Sequence, residues 1–329
     1  MDGQISAGIL GTGSYLPEQV LTNINMEQLV DTSDEWIRTR TGIEERRIAG
    51  KETAASDLAV LAAKGALEQS GLKGEDIDLI ITASITPDMF FPATACIVQE
   101  KLGAKNAAAF DLMAACSGFI YGLSVAEQFI KTGAYKYILV IGVEILSKIV
   151  DWSDRSTCVL FGDGAGAAVL GPVHKGKGIL FSRLGADGSG GELLKMPAGG
   201  SRMPSSVLSV ENKMHCIKMS GNDIFKFAVK IMEEVTLEAL THCGFKVDDI
   251  DLLIPHQANL RIINSAAKRL KLPLKKVWVN INKYGNMSAA SIPVALDEAL
   301  SQHKIKEGNL VVLVGFGAGL TWGVNVIRW

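Results

Sequence analysis

Apolar positions along the chain follow two alternating patterns. Short continuous runs rich in β-branched residues, such as residues 138–143 and 311–316, have the length of strands buried on both faces. Between such runs, apolar residues recur every three or four positions, as in residues 52–70, which is typical of amphipathic helices. Strands that alternate with helices in this way predict an α/β fold of layers with mainly parallel sheets.

A repeat in the sequence indicates two related halves. The segment GLKGEDIDLII at residues 71–81 returns as GFKVDDIDLLI at residues 244–254, an offset of 173 residues. The apolar runs at 138–143 and 311–316 are separated by the same offset. Since two candidate strands repeat in phase, we predict two pseudo-symmetric α/β halves, residues 1–173 and 174–329.

The composition excludes several classes of protein. With 329 residues, 48% of them hydrophobic and 21% charged, the chain is expected to be globular with a large core. A net charge of −2 gives no general attraction to nucleic acid or acidic membranes. The longest apolar tract, residues 137–150, is interrupted by Glu144 and Lys148 and is too short for a membrane span, and the N-terminus lacks signal-peptide features. We therefore expect neither nucleic acid nor a membrane as a partner.

The chain has five cysteines, an odd number with no C-x-x-C pair. This set argues against a disulfide framework and against a structural zinc site. We therefore expect no metal and a reducing, cytoplasmic setting.

One of these cysteines, Cys116, stands where a strand is predicted to turn into a helix. Residues 107–113 form an apolar run of strand length, and apolar residues recur at helical spacing after the cysteine, at Phe119, Leu123, Ala126 and Ile130. The amides and macrodipole of a helix N-terminus favour a thiolate, so Cys116 is a candidate nucleophile. The alternative is a buried structural cysteine, which packs as a small hydrophobe.

Two polar residues of the second half are predicted to lie near Cys116. His256 follows the repeated strand, and Asn286 follows residues 277–282, which we predict to be another strand leading to a helix. In open α/β folds, ligands bind outside the carboxyl ends of strands, so the three residues together indicate a site. Taken singly, a core histidine and a turn asparagine are the simpler interpretations.

Residues 32–42 predict a short helix with an exposed aromatic residue. Ser33 can cap it, and Trp36 and Arg40 are then four residues apart on one face. An indole beside a guanidinium group suits a planar base and phosphates. The alternative is a tryptophan that packs on the stem of Arg40.

Glycine-rich segments suggest turns more than phosphate-binding loops. Residues 5–13 predict a strand that runs into a glycine turn, but Leu16 replaces the third glycine of a dinucleotide motif and Pro17 blocks a helix there. The glycines of residues 161–171 lack the lysine of a P-loop, which favours close packing. Residues 185–215 show little periodicity and predict a long loop region beside the site.

Together these motifs resemble the β-ketoacyl-[acyl-carrier-protein] synthase III family, the condensing enzymes that initiate bacterial fatty-acid synthesis. The resemblance covers essentially the whole chain and implies a thiolase-like fold with two pseudo-symmetric halves in an αβαβα arrangement. The motifs that carry it are GSYLP at 13–17, residues 32–42, AACSG at 114–118, GDGAG at 162–166, PHQANLR at 255–261, GNMSAA at 285–290 and GFGAGLTWG at 315–323.

The resemblance also implies a role for individual residues. Cys116 would accept an acyl group from acetyl-coenzyme A (CoA) or a similar short acyl-CoA, with no further cofactor. His256 and Asn286 would promote decarboxylation of malonyl-acyl carrier protein, and the amides of Cys116 and Ala318 would form the oxyanion hole. Relatives often have glycine where Ala318 stands, but an alanine keeps the amide donor. The implied CoA-binding residues are Trp36, Arg40, Arg155, Asn222 and Asn259.

The implied partners are an acidic acyl carrier protein and a second copy of the chain. Residues 261–276 contain several basic residues and no acidic one, and Arg261 and Lys268 are seven apart, hence on one side of a helix. With Arg269, they are expected to dock the carrier, although solvated surface charge is the alternative. Phe91, in an aromatic cluster at residues 90–92, is expected at the interface of a homodimer and at an acyl pocket, unless the cluster is ordinary core.

Rival functions differ in the residues that they need. A degradative thiolase needs a second cysteine in its final glycine-rich loop, and residues 315–323 contain none. A 3-hydroxy-3-methylglutaryl-CoA synthase needs a carboxylate base with no evident counterpart here. A polyketide starter synthase and a non-catalytic acyl-binding scaffold remain open alternatives.

Overall fold

The computed structural model describes residues 5–329. Its strands are β1 (Ile5–Tyr15), β2 (Gln19–Thr22), β3 (Glu45–Ile48), β4 (Leu79–Ala83), β5 (Ala108–Leu112), β6 (Ile138–Ile145), β7 (Asp163–His174), β8 (Gly178–Ala186), β9 (Leu194–Lys195), β10 (Lys218–Met219), β11 (Leu252–Pro255), β12 (Leu310–Gly317) and β13 (Thr321–Arg328). Its helices are α1 (Asn23–Glu27), α2 (Asp34–Thr41), α3 (Ala55–Ser70), α4 (Thr94–Lys101), α5 (Gly118–Thr132), α6 (Arg155–Cys158), α7 (Val207–Glu211), α8 (Gly221–Cys243), α9 (Leu260–Leu270), α10 (Ile281–Tyr284) and α11 (Ser291–Ser301). None of these helices is long and apolar enough to cross a membrane.

Two main sheets divide the strands by position in the chain. The first sheet has the order β1-β7-β6-β4-β5, and the second has the order β11-β12-β13-β8. Both sheets are mixed: β4 is parallel to β5 and β6, and β11 is parallel to β12, but the other neighbours are antiparallel. The expectation of mainly parallel sheets is therefore wrong. In the second sheet the reason is plain, since only three residues join β12 to β13, too few for a parallel crossover.

The layers stack in the order αβαβα. A central apolar core contains Phe119 and Leu123 of α5 and Ile292 and Leu296 of α11, together with strand residues from both sheets. The helices α3 and α4 cover the outer face of the first sheet, and α8 and α9 cover the outer face of the second. Helices α5 and α11 thus lie between the sheets, with their first turns at the same end of the molecule as the candidate site.

The sequence repeat corresponds to repeated local structure. Gly71 and Gly244 end helices α3 and α8 in the left-handed conformation, with φ of 71° and 73°. In both copies an aspartate then accepts a hydrogen bond from the backbone N–H three residues earlier, at 2.8 Å for Asp76 and 2.7 Å for Asp249. The prediction of two related segments is confirmed down to their capping hydrogen bonds.

The predicted glycine turn near the N-terminus is wrong, because β1 continues through Gly11 and Gly13. A Cβ atom at Gly11 would lie 2.5 Å from the carbonyl oxygen of Ala66, and one at Gly13 would lie 2.3 Å from that of Ala62. These glycines let helix α3 pack directly on the strand, so they serve close approach and not chain reversal.

The strand predicted at residues 277–282 is also absent. Val277 forms a single β-bridge, and helix α10 begins at Ile281. The side chain of Gln257 accepts hydrogen bonds from the backbone N–H groups of Asn280 and Ile281, at 3.0 and 3.2 Å. Since a side chain takes up these donors, the segment makes no strand ladder, and Asn286 does not follow a strand.

Candidate active site

Cys116 lies in a short 3₁₀ turn, Ala115–Ser117, directly before helix α5. The strand-to-helix position predicted for it is confirmed. A Cβ atom on Gly317, at the end of β12, would lie 2.6 Å from the Cys116 nitrogen, so a glycine is required there. The next residue, Ala318, lines a cavity together with Cys116. The turn that holds the cysteine is therefore shaped by the second half of the chain.

Cys116 is a thiol in the resting structure. Burial raises its pKa to about 12, the charge of Glu144 acts in the same direction, and the nearby Ser288 hydroxyl lowers the pKa only in part. Desolvation therefore opposes the thiolate that the helix N-terminus is expected to favour. Proton loss must accompany attack on a substrate.

Glu144, at the end of β6, is a fully buried carboxyl group whose charge acts on Cys116, and the sequence alone does not place it at the site. It accepts hydrogen bonds from Thr86 Oγ1 at 2.6 Å and from the Ile85 N–H at 3.2 Å. Burial raises its pKa to about 7. The available signal was a single acidic residue in an otherwise apolar strand, which the sequence analysis used only to exclude a membrane span.

His256 directly follows β11 and is buried, with 1% of its surface exposed. Its Nδ1 lies 2.6 Å from Ser291 Oγ, which also accepts a longer hydrogen bond, 3.4 Å, from the Gln257 N–H. When the Ser291 hydroxyl donates to Nδ1, the proton of the neutral imidazole lies on Nε2. Burial lowers the pKa of His256 to about 3, which keeps the ring neutral.

Asn286 is held by its own backbone and side chain. Its N–H donates to the Leu160 carbonyl at 2.8 Å, and its carbonyl accepts from the Gly162 N–H at 3.0 Å. Its Oδ1 accepts from the Ser288 N–H at 2.8 Å, which leaves the Nδ2 group as a donor. Neither Ser288 nor Ser291 was identified from the sequence, where serines near a helix start are ordinary caps.

Two cavities meet at Cys116. A narrow one of about 120 Å³ is lined by Cys116, His256, Asn286 and Asn259, and a wide one of about 510 Å³ lies on the other side of the cysteine. Apolar side chains dominate the wide cavity, among them Ile85, Met89, Phe90, Leu146, Ile149 and Ile217. The three predicted polar residues therefore converge on one narrow space, which shares Cys116, Phe161 and Leu194 with the apolar chamber. Residues 194–196 and 198–200 line the chamber, as expected for the loop region at 185–215.

A second cluster surrounds Trp36. The capping of α2 by Ser33 is confirmed, and the guanidinium carbons of Arg40 and Arg155 lie 5.1 and 5.0 Å from the indole centroid. Asn259 Nδ2 donates to the Arg40 carbonyl at 3.0 Å, which connects this cluster to the narrow cavity. A flat aromatic surface between two cations suits a ligand with a base and phosphates.

Known proteins that resemble this chain share its length. Models of the 3-oxoacyl-[acyl-carrier-protein] synthase III family match residues 110–188 and, for its C-terminal part, residues 240–329. The β-ketoacyl-[acyl-carrier-protein] synthase III of Caldanaerobacter subterraneus subsp. tengcongensis is 63% identical over 326 residues, which cover 99% of this chain and 98% of the relative. The chain belongs to the β-ketoacyl-[acyl-carrier-protein] synthase III family. The predicted resemblance is confirmed.

Solved structures of the synthase III family agree with the fold. The 3-oxoacyl-[acyl-carrier-protein] synthase III of Aquifex aeolicus is 52% identical, with a TM-score of 0.91 over 98% of this chain and 100% of that one. A priming β-ketosynthase from the R1128 polyketide biosynthetic pathway is also similar, at 35% identity and a TM-score of 0.92 over 99% and 97% of the chains. The thiolase-like fold that the sequence implied is confirmed.

The remaining residues that the synthase III resemblance implied lie on helices α8 and α9. Asn222 is exposed in the first turn of α8, and the residue before it lines that cavity. Arg261 and Lys268 are exposed on α9, and the Arg261 guanidinium lies 5.6 Å from the ring of Phe225, another cavity residue. Arg269 differs, because it is paired with Glu233 of α8. The basic stretch is thus partly neutralised by an acidic residue that is distant in sequence.

Phe91 does not line the wide cavity of its own chain. Its neighbour Phe90 does, and the two rings are 84% and 75% exposed. The alternative that residues 90–92 are ordinary core is wrong, since side chains so exposed contribute little to a core. A pair of exposed phenylalanines at a cavity mouth is typical of a contact surface.

Proposed function

We propose that Cys116, His256 and Asn286 carry out the two half-reactions of β-ketoacyl-[acyl-carrier-protein] synthase III. The chain condenses an acyl-CoA primer with malonyl-acyl carrier protein to give β-ketoacyl-acyl carrier protein, CoA and CO₂, the first condensation of fatty-acid synthesis. The single observation that carries the assignment of residues is the convergence of a thiol, a neutral imidazole and a carboxamide on one narrow cavity.

In the first half-reaction, the Cys116 sulfur attacks the thioester carbonyl of the acyl-CoA. The bond from the acyl carbon to Cys116 forms, the bond to the CoA sulfur breaks, and the thiol proton ends on CoA. The amides of Cys116 and Ala318 are the proposed donors to the tetrahedral oxyanion, a role that preorganised backbone amides suit. The wide apolar chamber receives the acyl chain, and Trp36, Arg40, Arg155, Asn222 and Asn259 bind the CoA.

In the second half-reaction, malonyl-acyl carrier protein loses CO₂ and leaves an enolate. The proposed donors to the enolate oxygen are His256 Nε2–H and Asn286 Nδ2–H, which stabilise negative charge without first losing a proton. The carbanion attacks the acyl group on Cys116, the bond to the sulfur breaks, and the Cys116 thiolate takes a proton from water. This chemistry needs no cofactor beyond the thioester substrates.

The test separates the two half-reactions. His256→Ala and Asn286→Ala should each lower CO₂ release from malonyl-carrier about a hundredfold or more, since removal of one oxyanion donor costs that much. Acylation of Cys116, followed by intact-protein mass spectrometry, should change far less. His242→Ala is a matched control, because His242 stacks on Phe181 and lines neither of the two cavities. Equal losses in both half-reactions would show instead that His256 acts as a base on the thiol.

A polyketide starter synthase is the second candidate, favoured by the similarity to the R1128 priming enzyme. The two functions differ in the primer that fills the wide chamber and in the carrier that delivers malonate. Competition between acetyl-CoA and longer acyl-CoA primers on the purified enzyme decides between them. A non-catalytic scaffold would release no CO₂.

The assembly and location form a further part of the proposal. The exposed Phe90 and Phe91 support a homodimer in which this surface is covered by a second copy. A monomeric mass in light scattering at micromolar concentration would contradict it. The cytoplasm as the site of action rests on the odd set of five cysteines.

A further inference from the structure

Arg46 is a buried charged residue in the small sheet of β2 and β3, and the proposed reaction does not use it. It lies in β3, its surface is fully buried, and its three hydrogen-bond acceptors are all neutral. Burial lowers its pKa to about 10, so the guanidinium stays charged at neutral pH. Burying a charge without a carboxylate partner is costly, which is why this arrangement calls for a functional account.

The Arg46 guanidinium group donates a hydrogen bond to residues 159–162, the segment to which the Asn286 backbone is bound. Arg46 Nη2 donates to the Val159 carbonyl at 2.8 Å. The next carbonyl, of Leu160, accepts the Asn286 N–H, and the Gly162 N–H donates to the Asn286 carbonyl. The stem of Arg46 packs against the same turn, since a Cβ atom added at Gly285 would lie 3.3 Å from the Arg46 Cβ.

The other side of the guanidinium is anchored to the first half of the chain. Nη1 donates to the Leu21 carbonyl and Nη2 to Asn23 Oδ1, both at 3.0 Å. Asn23 is itself fixed, because its Nδ2 donates to Asp34 Oδ1 and to the Ile43 carbonyl, each at 2.8 Å. Arg46 therefore joins a rigid part of the first half to the turn that presents Asn286.

We propose that Arg46 is a positioning residue that sets the place of the Asn286 carboxamide for decarboxylation. The inference rests on the proposed role of Asn286. Only the planar fork of arginine reaches three acceptors in two directions, whereas a lysine in its place has one nitrogen. A small displacement of Asn286 would weaken its hydrogen bond to the enolate oxygen and leave Cys116 in place.

Arg46→Lys tests the proposal because it keeps the charge and loses the fork. CO₂ release from malonyl-carrier, expressed per Cys116 that can be acylated, should fall about tenfold or more, as misplacement of a catalytic group predicts. Acylation by acyl-CoA should stay within about threefold of the parent rate, since that step does not involve Asn286. Counting only acylatable sites removes the effect of misfolded protein. Arg47→Lys is the matched control, since Arg47 is the neighbouring residue, is partly exposed and stacks on Tyr284 at 5.9 Å.

Asn23→Ala is the second variant and keeps Arg46 itself. It removes one of the two anchors in the first half, so CO₂ release should fall about two- to fivefold, less than in Arg46→Lys. Equal losses of both half-reactions in Arg46→Lys, or unchanged CO₂ release, would overturn the proposal and leave Arg46 as a purely structural residue. Asn286→Ala is measured in parallel. If it kept full CO₂ release, the proposed role of Asn286 would fail, and the inference with it.

Discussion

The two halves of the molecule have the same turn at the start of their central helices, and only one of the two turns contains a cysteine. Ala115 and Ser288, 173 residues apart, have φ of 46° and 44°, and each opens a 3₁₀ turn that leads into α5 or α11. At the next position the first half has Cys116 and the second has Ala289. Both halves therefore contain the same strained backbone turn, but only the turn of the first half contains a cysteine.

At the same offset of 173 residues, two residues of the proposed decarboxylation site correspond to small residues of the first half. His256 and Ser291, which form a hydrogen bond, correspond to Ala83 and Gly118 in the first half. Those two are also neighbours, since a Cβ atom on Gly118 would lie 3.0 Å from the Ala83 Cβ. The equivalent contact is thus made by a polar pair in the second half and by two small residues in the first half. In the proposed mechanism, each pseudo-symmetric half therefore contributes to a different half-reaction.

The largest expected effect comes from removing the thiol of Cys116 and placing one at the pseudo-symmetric position, Ala289. Cys116→Ala should abolish acylation, a loss of at least about a thousandfold, because no other group in the narrow cavity is a nucleophile of this kind. Adding Ala289→Cys should not restore it. Ala289 is 1% exposed and lines neither of the two cavities at Cys116.

The measurement is the mass of the intact protein after incubation with acyl-CoA. Cys216→Ala is a matched control, because Cys216 is also buried and lines neither cavity, and its acyl mass should equal that of the parent. An acyl mass on the Cys116→Ala protein would refute the assignment of the nucleophile. An acyl mass restored by Ala289→Cys would show that the second turn is also accessible to substrate.

The next effect concerns the pair His256 and Ser291. Ser291→Ala removes the hydroxyl next to Nδ1, which in the proposed mechanism donates to it and keeps the imidazole proton on Nε2, so CO₂ release should fall about ten- to a hundredfold. Acylation of Cys116 should be nearly unchanged. Ser291→Thr retains a hydroxyl and should recover part of the activity. A Ser291→Ala enzyme with full CO₂ release would mean that another contact fixes the tautomer.

These pairs show which parts could be predicted from the sequence. The spacing of apolar residues predicted the α/β layers, and the sequence repeat predicted the two related segments. Both are properties of short stretches of sequence, as are the capping residues. The strand assigned to residues 277–282 failed because Gln257, about twenty positions away, takes up its backbone donors. The pairing of Arg269 with Glu233 and the burial of Glu144 also depend on residues brought together only by folding. Cys116, His256 and Asn286 could be identified from the sequence because their residue types suit the chemistry. Ser291 and Arg46 could not, because each is proposed to act only by positioning another residue.

A smaller effect is expected from charge, which differs between the halves. In the first half, Lys101 at the end of α4 is paired with Asp57, whereas Arg261 and Lys268 on α9 are exposed, and Arg261 contacts Phe225 of the narrow cavity. Arg261→Glu with Lys268→Glu should raise KM for malonyl-carrier about tenfold at low salt and less at high salt, because docking charges mainly speed encounter. Lys175→Glu, at the opposite end of the first sheet from Cys116, is the matched control. An unchanged KM would place carrier docking elsewhere.

The smallest effect is on stability, where the two buried titrating groups act in opposite directions. The pKa of Glu144 is raised from 4.5 to about 7 by burial, so the folded protein binds more protons than the unfolded chain between these values. Its contribution to stability therefore decreases as pH rises through that window. The pKa of His256 is lowered from 6.5 to about 3, so the unfolded chain binds more protons there and stability decreases as pH falls.

The Glu144→Gln variant should lose the pH dependence of stability that comes from Glu144 and keep the one that comes from His256. Each group contributes a slope of up to about 1.4 kcal/mol per pH unit, and in the parent protein the two offset each other between pH 4.5 and 6.5. The variant should gain stability steadily as pH rises to 6.5 and then level off, whereas His256→Ala should lose stability from pH 4.5 to 7. Urea unfolding midpoints at half-unit pH steps measure this. Parallel curves for Glu144→Gln and the parent would mean that Glu144 is ionised in the folded state throughout, so that the hydrogen bonds from Thr86 and Ile85 outweigh its burial.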